Sequence, residues 1–310
     1  MRALVVGATG AIGPRLVSQL VERGHEVIGT SRTQERAETL RSLGAEPAVL
    51  DVLDRGAVRQ LVLDTKPDAI VHQATALGDG IDWKRFAESF AQTNRLRTKG
   101  TDNLLAAAAE AGVERVVAQS YASWPYARVG GPVKTEEDPL DESPPEAVRG
   151  TVEAIRHLER AVREAGGIAL RYGAFYGDAN DVMIDGIRDR KVPIVGDGGG
   201  MFSFVHLDDA ATATVLALER GAPAVYNVVD DEPAPAREVL PALAAAVGAP
   251  PPRKVPAWLA RLFAGEVGVV TMTELRGASN AKAKRELGWT LRYPSWRQGF
   301  AATFASAKAA

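Results

Sequence analysis

Three glycines at every third position, Gly7, Gly10 and Gly13, stand where the apolar run Ala3-Leu-Val-Val6 gives way to a helical pattern. Glycine at these places suits a pyrophosphate. Gly7 permits the tight turn off a strand, Gly10 lets the backbone approach the phosphates, and Gly13 lets the helix sit close to the sheet, with free N–H groups facing the anion. The spacing is G-x-x-G-x-x-G and not the more familiar G-x-G-x-x-G. Its position between a first strand and a first helix makes it a dinucleotide grip. The second apolar run ends in Gly29-Thr-Ser31-Arg32, without a carboxylate. An acid there takes the ribose hydroxyls of NAD, whereas an arginine accommodates the extra phosphate of NADP. The planar donors of Arg32 and the hydroxyl of Ser31 favour NADP(H), with NAD(H) as the alternative. A plainer role for Arg32, solvating the start of the next helix, stays open.

Proton chemistry needs a second set of residues. The segment Gln119-Ser120-Tyr121-Ala-Ser-Trp124-Pro-Tyr126 offers hydroxyls at a strand end. A phenol, with an ordinary pKa of about 10, becomes a better acid beside a positive charge. Tyr121, Ser120 and Tyr126 are therefore the catalytic candidates, each also readable as pocket lining. His25, His72, His157 and His206 are scattered without ligand spacing, so no metal site is expected. Cysteine is absent, which excludes disulfides and thiolate catalysis and fits a reducing compartment. A net charge of -2 gives no reason to expect nucleic acid or a membrane surface as partner. No apolar stretch reaches the roughly 20 residues of a membrane span, and the first strand begins at Arg2 with no room for a leader. The expectation is a cytoplasmic protein that acts on a small molecule.

The elements that must position these groups follow from periodicity. Short apolar runs at Glu26–Thr30, Pro47–Leu50, Asp68–His72, Arg115–Ala118 and Gly167–Arg171 alternate with helical patterns. That rhythm predicts a parallel sheet covered on both faces, because parallel strands need crossover helices. A long helix is expected from about Trp83 to Ala111, then a functional loop over Trp124–Pro145 and a helix from about Glu146. Phe202–His206 reads as a return to the sheet. Glu136, Glu137, Asp138, Asp141 and Glu142 form an acidic run that reads as a solvated loop face or a substrate contact. Gly196–Met201 reads as a flap over the pocket or an ordinary surface turn. The fold class is α/β, a Rossmann-type doubly wound sheet with a smaller C-terminal substrate-binding part. Residues 1–172 would form the nucleotide-binding domain, with 203–224 returning to it. Residues 173–202 and 225–310 would form the substrate part.

Several motifs in order extend the reading: Gly7-Ala-Thr-Gly-Ala-Ile-Gly13, Val71-His-Gln-Ala-Thr75, Gly100-Thr-Asp-Asn-Leu-Leu105, Leu170-Arg-Tyr-Gly-Ala-Phe-Tyr-Gly177 and Phe204-Val-His-Leu-Asp-Asp-Ala210. Over nearly its whole length the chain resembles the extended short-chain dehydrogenase/reductases, which include the NAD-dependent epimerases and dehydratases. The resemblance implies NAD(P) binding by Thr9, Gly10, Ala11 and Ile12 under the pyrophosphate, Asp51 and Val52 beside the adenine, and Ala74 and Thr75 beneath the nicotinamide. It also implies a Tyr-x-x-x-Lys pair after the long loop, where the lysine acidifies the tyrosine that passes a proton to substrate. Alignment on Thr135-Glu-Glu-Asp-Pro-Leu140 puts that tyrosine at Pro145 or Glu146 and the lysine at Arg149 or Gly150. No tyrosine lies between 127 and 171, and the one lysine there is Lys134. Arg149 is left to grip the ribose, and Ser120 or Tyr121 falls at the family's substrate-bonding serine or threonine. Asn94 resembles a family asparagine, with unusually long spacing to Gly100 that implies a locally reshaped helix. Trp124, Tyr126, Phe175 and Tyr176 would line an apolar pocket. The implied activity is NAD(P)-dependent oxidation or reduction of a carbonyl/alcohol pair on a small organic molecule, with hydride passing near Thr75 and Tyr121. A sugar-nucleotide epimerase or dehydratase, and a non-catalytic NADP(H)-binding sensor, are the alternatives. Relatives often form homodimers through helices here near 95–112 and 149–165.

Overall fold

A computed structural model describes residues 1–77, 80–177 and 182–304. Its centre is a seven-stranded parallel sheet of β1 (Arg2–Val6), β2 (Glu26–Ser31), β3 (Glu46–Val49), β4 (Ala69–His72), β5 (Arg115–Tyr121), β6 (Ile168–Tyr172) and β7 (Val225–Val228). The strands lie in the order β7-β6-β5-β4-β1-β2-β3. Strand order reverses between β1 and β4, which opens a crevice at their carboxyl ends, the usual ligand position in such sheets.

The central strands are continuous apolar runs because both faces are covered. Side chains alternate across the sheet. Ala3 and Val5 pack with Leu16 and Leu20 of α1 (Gly13–Glu22), and Leu4 and Val6 pack with Val58 and Val62 further along the chain. The helices continue in order: α2 (Gln34–Glu38), α3 (Arg55–Thr65), α4 (Phe86–Arg95), α5 (Thr101–Ala111) and α6 (Glu146–Glu164). Then come α7 (Val182–Arg188), α8 (Leu207–Arg220), α9 (Ala236–Ala246), α10 (Ala257–Glu274), α11 (Ala281–Leu287) and α12 (Trp296–Phe304). A second core in the C-terminal part joins Tyr176, Phe204, Leu240, Trp296, Phe300 and Phe304.

Three expectations need correction. Phe204–His206 does not rejoin the main sheet; it pairs with Ala174–Tyr176 in a separate two-stranded ribbon. Val225–Val228, expected in the substrate part, is the edge strand of the nucleotide-binding sheet and pairs with β6. The long helix over 83–111 is α4 and α5 joined by a π turn at Leu96–Gly100. A helical period by itself does not reveal an inserted residue, and such turns gather at functional sites.

Candidate active site

The crevice between β1 and β4 is lined by Gly7, Thr9, Gly10, Ser31, Arg32, Asp51, Val52, Ala74 and Thr75, nine residues singled out from the sequence. Leu96 of the π turn and Arg36 of α2 join them. Gly7 has φ +83°, and an added Cβ there would lie 2.8 Å from the Ala74 nitrogen. Only glycine fits both demands. At Gly13 a Cβ would collide with the Ala8 carbonyl, so the helix seats closely, as the spacing implied. Ala11 is exposed and Ile12 buried in the turn just before α1. No side chain caps α1 and no acid stands in its first turn, so its N-terminus is open to an anion. Those residues fit a dinucleotide.

Arg36 is the cation that the sequence reading missed. Its Nη2 donates to the Thr9 carbonyl at 2.9 Å, bringing a second guanidinium over the glycine turn beside the exposed Arg32. Thr9 Oγ1 donates to Ser31 Oγ at 3.2 Å, tying the turn to the end of β2. The signal was its place four residues after Arg32, in the first turn of the helix expected from Gln34.

At the end of β5 the three catalytic candidates part company. Ser120 is fully buried and donates to Glu159 Oε1 at 2.6 Å. Glu159 also accepts both Arg171 Nε at 2.7 Å and Arg171 Nη2 at 2.6 Å. Arg171 Nη1 donates to the Tyr126 hydroxyl at 2.8 Å, and that hydroxyl donates to Asn227 Oδ1 at 2.7 Å. Ser120 and Tyr126 are therefore committed to a buried structural web and are not presented to a substrate. Burial holds the Tyr126 phenol up at about 12. Arg149 is likewise corrected: it is exposed on α6 and pairs with Glu146 at 2.7 Å, away from the crevice. Of the implied pocket aromatics, Phe175 packs on Tyr172 and Tyr176 is buried against Phe300 and His206.

Tyr121 has no hydrogen-bond partner for its hydroxyl among the described residues. Its ring packs on Trp124 with centroids 4.8 Å apart, and Trp124 meets Phe86 at 5.0 Å and Phe90 at 5.4 Å. Trp83 completes this aromatic patch, 6.0 Å from Phe86. Burial raises the Tyr121 phenol to about 12, and the one charge opposing that rise is Arg97. Arg97 lies in the π turn, 4% exposed, and its Nε and Nη1 have no hydrogen-bond partner among the described residues. Burial lowers even this arginine to about 10. Nothing in the sequence marked it, since an arginine on a polar helix face reads as solvated. On the far side of Trp124, Pro145 and Val148 face Val267 across an apolar cleft where the family's tyrosine would stand.

Other singled-out residues are structural. The Glu136 carboxylate accepts from the Asn227 amide at 2.7 Å, and buried Lys134 donates to the Val129 carbonyl at 2.6 Å. Asn94 donates to Thr151 Oγ1 at 3.2 Å. The backbone of Gly200 is bonded to Met272 and to Ala236, so the glycine run 196–201 is a fixed turn and not a flap. His72 is buried with Nε2 3.4 Å from the Leu96 carbonyl, and burial pushes it down to about 4. His206 caps α8 by accepting from the Asp208 amide at 3.1 Å. Among the described residues no group of three or more His, Asp or Glu side chains is placed to hold a metal, and no helix is long and apolar enough to cross a membrane.

Comparison with known proteins gives consistent matches. A family model described as the NAD dependent epimerase/dehydratase family matches residues 3–228. A 3-diazoavenalumate denitrifying reductase from Streptomyces sp is 43% identical over 307 residues, covering 96% of this chain and 99% of that protein. A 2-alkyl-3-oxoalkanoate reductase from Stenotrophomonas maltophilia (strain K279a) is 31% identical, covering 81% of this chain and 77% of its own length. Among solved structures, a UDP-glucose 4-epimerase from Thermus thermophilus in complex with NAD superposes with a TM-score of 0.74 at 26% identity, covering 100% of both chains.

Proposed function

Because the chain belongs to the NAD-dependent epimerase/dehydratase family and is an NAD(P)-dependent oxidoreductase, we propose that it is an NADP(H)-dependent reductase of a small, unsaturated organic molecule. The carrying observation is the pairing of Arg32 with Arg36 beside Ser31, with no carboxylate, at the crevice that runs on to Thr75 and Leu96. Two guanidinium groups suit a 2′-phosphate, whereas ribose hydroxyls need an acceptor. Gly7, Thr9, Gly10, Ala11, Ile12 and Gly13 would hold the pyrophosphate, Asp51 and Val52 the adenine, and Ala74 and Thr75 the nicotinamide end. Bound there, the nicotinamide supplies a hydride. The aromatic patch of Trp83, Phe86, Phe90 and Trp124 would hold a flat apolar acceptor next to Tyr121.

For the reacting group, a carbonyl is the first reading. Tyr121 stands at the end of β5 with a hydroxyl unpartnered among the described residues, which burial keeps protonated at neutral pH and so competent as a donor. The name of the Stenotrophomonas relative, a 2-alkyl-3-oxoalkanoate reductase, supports it. A diazo group is the second reading, favoured by the missing Tyr-x-x-x-Lys and by the name of the Streptomyces relative. Hydride delivered to an arenediazonium carbon displaces dinitrogen, which takes the C–N electron pair with it. No oxygen gains charge, so no proton donor is required. We also place a homodimer contact on the outer faces of α5 and α6, and a reducing compartment suits a chain without cysteine.

The test is direct. Fluorescence titration should give tighter binding of NADPH than of NADH, and equal or reversed affinities would sink the NADP assignment. NADPH consumption with 3-oxo acids and with arenediazonium salts then separates the two acceptor classes. Clear cofactor binding with no turnover on either panel would favour a sensor.

A further inference from the structure

We infer that the first half of α10 is a docking face for an anionic lipid bilayer, with Trp258, Leu262 and Phe263 entering the interface and Arg253, Lys254 and Arg261 meeting the headgroups. The docking rests on none of the chemistry proposed above.

Before residue 265, α10 inverts the usual amphipathic order. A surface helix normally turns its large apolar side chains inward. Here the small Ala260 faces the body, packed with Val195, Val255 and Val269. The large side chains face out: Trp258 is 70% exposed, Leu262 66% and Phe263 65%. At about 100° per residue all three fall within an arc of roughly 140°, with Ala260 outside it. Apolar residues exposed singly need no explanation, but a cluster rimmed by charge marks an interaction surface. At that exposure the three stand proud of the helix and line no groove, so a peptide would find no seat there.

The arm that carries them is set off from the rest of α10. Gly265 breaks the helix with φ 65° and ψ -174°, a conformation essentially confined to glycine. Residues 257–264 therefore keep their own direction. The break abuts Trp83, since a Cβ at Gly265 would lie 3.7 Å from the Trp83 carbonyl oxygen. A docked bilayer would thus lie beside the aromatic patch that Trp83 shares with Phe86 and Trp124.

Charge decides the occupant. Arg253 and Lys254 are exposed at the foot of the arm and Arg261 on it, and none of the three ion-pairs among the described residues. Along the chain no acid lies between Glu238 and Glu266, which stands past the break. Ile194–Val195 pairs with Lys254–Val255, and the acids flanking it are engaged, Asp189 with Lys191 and Asp197 with the Gly199 amide. The whole-chain charge of -2 conceals this local excess of cations. A second copy docked face to face about a two-fold axis would set the cations against their own counterparts. An anionic bilayer instead pairs them with phosphates, while its interface takes up the Trp, Leu and Phe side chains.

Vesicle flotation of the full chain tests this. The parent should float with vesicles containing phosphatidylglycerol, and stay behind with phosphatidylcholine alone or at high salt. Trp258→Ser, Leu262→Ser and Phe263→Ser together should abolish flotation. Arg253→Gln, Lys254→Gln and Arg261→Gln together should lower partitioning by about 100-fold, at roughly fivefold per cation near an anionic surface. All six side chains are exposed, so thermal melts of both variants should match the parent. No flotation with either vesicle, equal flotation with both, or flotation that survives the serine changes would overturn the proposal. So would a dimer, seen by light scattering, that the serine changes abolish. Binding to polyglutamate without binding to vesicles would assign the face to an acidic protein and overturn it too.

Discussion

Tyr121 and Tyr126 sit at one strand end and use the same group in opposite ways. The Tyr126 hydroxyl is spent between Arg171 and Asn227, whereas that of Tyr121, beside the aromatic patch, has no partner among the described residues. Tyr121→Phe should therefore lower ketone turnover by about 100-fold or more, the scale of a lost general acid, with NADPH affinity unchanged. Tyr126→Phe should leave turnover near normal and cost about 1–3 kcal/mol, because a buried donor and acceptor lose their partner; kcat and urea midpoints for both variants check this. Asp230 makes a pH prediction. Its Oδ2 is buried without a partner among the described residues, and burial lifts the carboxyl to about 8 from a usual 3.8. The folded state thus holds a proton that the unfolded chain has released. That contribution is whole below pH 3.8 and drains away as the pH rises to about 8. Asp230→Asn removes the loss, so its urea midpoint should pull ahead of the parent across that window and diverge no further above it.

At the level of elements, the crevice depends on how β2 hands over to α2. Arg32 ends the strand side and Arg36 reaches back over Thr9, so the two act as one anion clasp. Replacing both with alanine should weaken NADPH by roughly 10-fold or more, given what charge-assisted bonds contribute, and leave NADH nearly untouched; parallel titrations read this out. The sheet and the glycine turn were legible because they depend on local runs: Ala3–Val6 is apolar on both faces, and only glycine survives at Gly7. The π turn was signalled only by the long spacing from Asn94 to Gly100, since Leu96 to Gly100 itself carries an ordinary helical composition. The fate of Tyr126 was hidden because its partners, Arg171 and Asn227, arrive from distant strands. Val225–Val228 was misassigned since an apolar run does not say which sheet it will join.

Across the whole molecule, the web of Ser120, Glu159, Arg171, Tyr126 and Asn227 joins β5, α6, β6 and β7. Breaking a buried ion pair strands the remaining charge. Arg171→Met alone should destabilise by about 3–5 kcal/mol, and the pair Arg171→Met with Glu159→Leu should cost less than that single change. Chemical denaturation of the two variants decides it, and a double variant worse than the single one contradicts the account. The web also bears on biosynthesis. Asn227 is supplied by the last sheet strand to be made, and its side chain in turn donates to the Ser279 carbonyl at 3.2 Å. A nascent chain that has emerged only through Tyr172 has partners for Arg171 but leaves the Tyr126 hydroxyl without its acceptor and the sheet with an open edge, a state prone to sticking to its neighbours. The sheet is therefore closed only by Val225–Val228, where Asn227 stands 101 residues beyond the Tyr126 hydroxyl it accepts from.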